Sequence, residues 1–187
     1  MLVATMSLSL GVYLFWCIIS GVTGKVELDN EMIEKSLLNQ IVNLLKTNKI
    51  EYRQYEHEPV FNSETAAKVI GARLEEGAKA LILLGDNKSL MVVVSGTDRV
   101  DFKKFKDLSE IKNLEMATPK EVKRISGVEI GAVPPFGNLF NIPLYIDRRL
   151  ETEKEIVFSA GSHSISIRMK YSDFKNITNP IVGNFAK

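Results

Sequence analysis

KALILLGDNKSLMVVVSG, residues 79–96, sets one apolar run against another across the polar link Asp86-Asn87-Lys88. Two runs this rich in aliphatic and β-branched residues, joined by so short an Asp/Asn turn, predict a β-hairpin. Working upstream, IEYRQYEH (50–57) is aromatic and partly alternating and reads as a strand ended by Glu58-Pro59. Asn62 or Ser63 then caps a short helix that runs to Ile70, with Gly71 as its stop. From Met32 to Lys46 the residues Ile33, Leu37, Ile41, Leu44 and Leu45 recur at helical spacing and form one core-facing stripe.

Downstream, Asp101 precedes Phe102, Phe105 and Leu108, the rhythm of a short helix with Lys103, Lys104 and Lys106 on its other side. Thr118-Pro119-Lys120-Glu121 joins a capping box to proline at the first helical position, and Gly127 closes that helix. PLYID, EIVFSAG and SISIRM add three strands, and Tyr171 to Asn176 a last helical turn. Hairpins and helices without regular βαβ alternation predict an α+β fold with a curved, mainly antiparallel sheet and flanking helices, as one domain over 32–187.

Composition narrows the function classes. Of 187 residues, 45% are apolar and 25% charged, which is ordinary for a globular chain. With 24 Lys plus Arg against 23 Asp plus Glu, no global basic field draws the chain to nucleic acid, so any such contact is local. The single cysteine, Cys17, excludes a disulfide framework and a cysteine-based zinc cluster, and two histidines alone predict no metal. Residues 1–24 carry no charge and differ from the rest. They fit a secretory signal, a membrane anchor, or a start assigned too far upstream, since Met32 opens an amphipathic helix; the last is the favoured expectation, with a cytoplasmic domain.

Three stretches carry candidate chemistry. GVEIGAVPPFG (127–137) holds three glycines and a proline pair. Glycine allows close approach to the backbone and proline stiffens the shape reached, so the amides of Ala132, Val133, Phe136 or Gly137 are candidates to cradle a ligand; the plainer reading is a surface turn. Lys79 opens an apolar strand, where a rigid scaffold presents a cation to phosphate or carboxylate, although most lysines at such places are simply solvated. His163 lies in SAGSHSIS among small residues that leave its ring room to reach a ligand; His57 has less open surroundings. No P-loop, dinucleotide fingerprint or Ser/His/Asp spacing is present.

Taken in order, HEPVFNSETAA, GAKALILL, DRVDFKKF, MATPKEV, GAVPPFGN, IPLYID and SAGSHSISIRM resemble the YbaK/prolyl-tRNA-synthetase-associated domain family of trans-acting aminoacyl-tRNA deacylases, from about Met32 to Lys175. The resemblance implies hydrolysis of the ester between a wrong amino acid and the terminal adenosine of a tRNA, with no cofactor. It implies the mischarged 3′-CCA end as partner, with an aminoacyl-tRNA synthetase as a further one. It places Lys79 near the terminal adenosine and its phosphate. The family's Gly-x-x-x-Pro loop falls on Gly131 to Pro135, whose amides would hold the substrate carbonyl. His163 would contact the aminoacyl group or its water, beside Ser162. The implied route is substrate-assisted, with a ribose hydroxyl helping to activate water. Pro134 departs from the family pattern, where a small polar residue is usual, and removes one amide donor. The accompanying alternatives are a non-catalytic tRNA-binding module on the same fold and a membrane-tethered or secreted binding domain. The lysine clusters 103–106 and 120–124 are solvated faces or acceptor-stem contacts.

Overall fold

The computed structural model describes the backbone of residues 21–187 and the side chains from residue 29 onward. Of the expected apolar segment 1–24, all but the last four residues lie outside the described residues. The first helix among the described residues, α1 (Gly21–Thr47), runs through Met32 without a break, so Met32 does not mark its start. Leu37, Ile41 and Leu45 form its buried stripe, while Met32 and Ile33 are exposed. α1 seats this stripe on β6 (Glu155–Ser162), and the approach is close at Gly161: a Cβ there would lie 3.2 Å from Leu37, at a φ of +94° that side chains rarely adopt.

The predicted hairpin is present as β2 (Ala78–Gly85) and β3 (Lys88–Ser95), with Asp86 and Asn87 both left-handed in its turn. The expected strand after α1 is β1 (Tyr52–Glu56), and Asn62 caps α2 (Ser63–Val69) by accepting the Thr65 N–H at 2.8 Å. Asp101 caps α3 (Phe102–Ser109). The capping box is present at α4 (Pro119–Ser126): the Glu121 carboxylate takes the Thr118 N–H at 2.8 Å and its hydroxyl at 2.6 Å. The three later strands are β5 (Leu144–Asp147), β6 and β7 (Ile165–Lys170), and the last helix is α5 (Tyr171–Thr178). Two short strands were not anticipated, β4 (Leu114–Met116) and β8 (Ile181–Gly183). Each has only three residues, and pairing with a neighbour rather than its own sequence makes it a strand.

The strands form an α+β fold in two sheets, β1-β7-β6 and β4-β2-β3-β5-β8. Pairing is mostly antiparallel, but β5 and β8 add to β3 in parallel. β3 is apolar from Leu90 to Val94 because both its faces are covered there: Met91 and Val93 enter a core shared with α1 and β6, while Leu90, Val92 and Val94 enter a second core with Phe105 and Phe185. The sheets touch at a single bridge, Gly77 to Val157, and part beyond it. The gap between them holds the cavity described next.

Candidate functional site

An open cavity of about 340 Å³ lies between the free edge of β2, the strand β6, α2 and the loop after α4. Its volume is at the small end for a ligand site, enough for a nucleoside or an aminoacyl ester. Its wall is largely apolar, with Ile70, Leu81, Val133 and Val157, and its polar groups are few. Phe61 stands at the mouth with 74% of its surface exposed, its ring centre 4.6 Å from that of His163.

Lys79 lines this cavity. Its half-buried side chain donates to the backbone carbonyl of Asp98 at 2.6 Å. An ammonium has three N–H donors, so two remain for a ligand. Burial lowers the Lys79 pKa, opposed in part by the nearby Asp98 carboxylate. The loop that supplies this carbonyl is itself tied down. Asp98 pairs with Arg149 at 3.0 Å, Arg99 and Lys187 exchange two backbone bonds, and the Asp101 N–H donates to Phe185. Phe185 is fully buried, and the Asp147 carboxylate accepts the N–H groups of Phe185 and Ala186, each at 2.7 Å.

The glycine-rich loop divides. Gly131 and Val133 line the cavity, and among the described residues neither amide has a hydrogen-bond acceptor. Ala132, Pro135, Phe136 and Gly137 do not line it. The Ala132 N–H is spent on Glu129 and the Phe136 N–H on Pro134, so these two expected cradle donors are engaged within the loop. Phe136 is fully buried and meets Phe158 and Phe174 edge-on at 5.3 and 5.5 Å, a core position that sequence could not separate from a ligand contact. Gly137 is buried where a Cβ would lie 2.7 Å from the Ile142 carbonyl. The loop is anchored to β6 by the Gly161 N–H, which donates to Ala132.

His163 lies against Gly131: a Cβ at Gly131, where φ is +89°, would sit 3.1 Å from its Cε1. Its Nδ1 is 3.2 Å from the Val60 carbonyl, an acceptor only, so Nδ1 carries the proton and Nε2 is left facing Glu129, 3.9 Å away. Ser162 accepts the Ser164 N–H within its own turn and does not line the cavity. His57 bonds the Glu58 carbonyl at 2.8 Å and Ser166 at 3.0 Å; Ser166 lines the cavity, a second-layer placement that no local motif signalled. The lysine clusters separate as well. Lys104 lies 4.0 Å from Asp101 and Lys123 lies 3.8 Å from Glu129, whereas Lys106 and Arg124 join Lys88 in a second, polar groove of about 570 Å³ beside the hairpin turn. Among the described residues no helix is long and apolar enough to cross a membrane.

Comparison with known proteins gives a consistent result. Residues 57–177 match the aminoacyl-tRNA editing domain family. The chain is 29% identical over 163 residues to the multifunctional Ser/Thr-tRNA deacylase ProXp-y of Escherichia coli K12, covering 84% of this chain and 98% of that one. It is 26% identical over 148 residues, 77% of this chain and 88% of the other, to a protein of Enterococcus faecalis described as a candidate Cys-tRNA(Pro)/Cys-tRNA(Cys) deacylase, EbsC. A solved structure described as a candidate trans-editing enzyme for prolyl tRNA synthetase superposes with a TM-score of 0.71 at 25% identity, over 81% of this chain and 97% of that one.

Proposed function

This chain belongs to the aminoacyl-tRNA editing domain family, and we propose that its cavity is where the ester of a mischarged aminoacyl-tRNA is hydrolysed. The observation that supports this reading is the meeting of Lys79 and two unengaged amides, those of Gly131 and Val133, around one small cavity, with His163 outside its lining but packed against Gly131. An aminoacyl ester is already activated, so water suffices as attacker and no nucleophilic side chain is required. The Gly131 and Val133 N–H groups donate to the carbonyl oxygen as it gains charge, a contribution of about 3 kcal/mol in the transition state for a well-placed donor. Holding water and ester together supplies more. Lys79 binds the phosphate of the terminal nucleotide with its two remaining donors. A ribose hydroxyl of the substrate helps activate the water, and His163, packed against Gly131, helps orient it.

The substrates are tRNAs mischarged with small amino acids: the relatives named above act on Ser/Thr-tRNA or are assigned to Cys-tRNA, and alanine is the further candidate. The partner is a single-stranded CCA end, which needs a pocket and a few cations rather than a broad basic face. The acceptor stem follows over Lys106 and Arg124. The enzyme works in the cytoplasm, on tRNA already released by the synthetase that mischarged it. Deacylation of tRNAs charged with alanine, serine, threonine or cysteine tests this, and rates no greater than buffer hydrolysis on every member would leave only a binding module.

A further inference from the structure

One edge of β2 inside the cavity carries peptide groups with no partner among the described residues. At the closing pair of the hairpin, Gly85 and Lys88 face each other, and the antiparallel alternation that follows turns Lys79, Leu81 and Leu83 toward β3 and Ala78, Ala80 and Ile82 away from it. The Ile82 carbonyl confirms this parity by accepting the Ala117 N–H at 3.1 Å on the far side. β4 covers only Leu83–Gly85 of that edge, and β6 meets it only at the Gly77–Val157 bridge. Between these attachments the Ala78 carbonyl and the Ala80 N–H are left open where both residues line the cavity. Unmade bonds on a sheltered strand edge cost free energy, and folds normally cover such edges. Here the two methyl side chains, both on one face of the strand, obstruct neither group.

A carbonyl at one residue and an N–H two residues later, on one edge, present an acceptor and a donor side by side. Adenine offers the complement along its Watson–Crick side, a donor amine at N6 beside an acceptor at N1, whereas guanine and uracil offer the reverse order. We propose that the open edge of β2 reads the terminal adenine of the substrate, with Ala78 accepting from the N6 amine and Ala80 donating to N1. Ile70, Leu81 and Val133 supply apolar surface for the base. Lys79 lies between the two alanines, so one strand segment holds both the base and the phosphate of the same nucleotide. This assignment deepens the deacylase reading and rests on it.

The experiment is single-turnover deacylation by the wild-type protein of substrates whose last nucleoside is adenosine, purine riboside, which lacks the N6 amine, or 1-deazaadenosine, which lacks the N1 acceptor. Each deletion is expected to lower kcat/KM about 10-fold or more, as for one buried hydrogen bond left unmade. Equal rates on all three overturn the adenine assignment and leave the deacylase standing; no turnover of the adenosine-ended substrate instead removes the deacylase. Ala80→Pro deletes this N–H without touching the β3 ladder, since proline is tolerated where the N–H faces an open edge. In that variant the preference for adenosine over 1-deazaadenosine is expected to vanish, and its persistence would count against Ala80. The wild-type series decides the matter if the variant does not fold.

Discussion

Gly131→Ala tests the core of the site. At φ +89° an L-residue is strained, and leaving glycine there costs about 1 to 2 kcal/mol of backbone energy. The new methyl group also lands 3.1 Å from the His163 ring, which must move by a few tenths of an ångström or push the loop back. Stability therefore falls by about 2 kcal/mol, a loss that an ordinary domain survives at 25 °C. Catalysis loses more, because a tilt of the 131–133 peptides moves both unengaged N–H groups off the carbonyl oxygen. A misplaced oxyanion donor costs about 3 kcal/mol, so the single-turnover rate constant should drop on the order of 100-fold. Melting curves and single-turnover rates on one preparation separate the two effects. A folded Gly131→Ala protein with the wild-type rate would remove the loop from the chemistry.

Other outcomes follow from the same geometry. Lys79→Ala should abolish most of kcat/KM, and the pH profile should identify the charge involved. Burial lowers the Lys79 pKa, so below that value the folded state bears a buried charge that weakens it, while substrate binding needs the ammonium and fades as pH rises through the lowered value. The alkaline limb, corrected for buffer hydrolysis, thus lies below the ordinary lysine range, and Lys79→Arg should shift it upward. Phe136→Ala should destabilise the fold by about 3 to 5 kcal/mol, whereas Phe136→Leu should keep activity, as expected of a core residue rather than a ligand contact. Thr118→Ala should cost about 1 kcal/mol in urea unfolding through the lost cap. Glu121, whose pKa is held down by the Thr118 hydroxyl and amide, contributes stability above the ordinary carboxylate range that is lost as pH falls through its lowered value, so the deficit of Thr118→Ala should shrink at pH 3. If Lys106 and Arg124 each meet one backbone phosphate, replacing both should flatten the salt dependence of tRNA binding by roughly 0.9 log units per contact.

Local signals made much of this legible. The turn at Asp86-Asn87, the cap at Asn62 and the Thr118 to Glu121 box are written in contiguous residues, and each stands where its chemistry required. β4 and β8 were not legible because three residues carry no period, and their strand character comes from β2 and β5. The split into two sheets depends on where β2 and β6 diverge, a long-range event with no local marker beyond Gly77. Of the candidate residues, Lys79, Gly131 and Val133, singled out by residue type and order, line the cavity. Phe136 was not, because a phenyl ring after Pro-Pro suits a core and a ligand pocket equally until burial is known. The open edge at Ala78 and Ala80 left no trace in the side chains at all, since its donors and acceptors belong to the backbone.

The bonds gathered at the C-terminal residues have a practical bearing. Lys187 grips Arg99, and Asp98 next to it steadies the ammonium of Lys79, so residues 185–187 act as a guy-rope for the Lys79 side chain. A purification handle fused there would tug on that rope, and weak turnover measured with such a fusion would report on the handle before it reported on the enzyme.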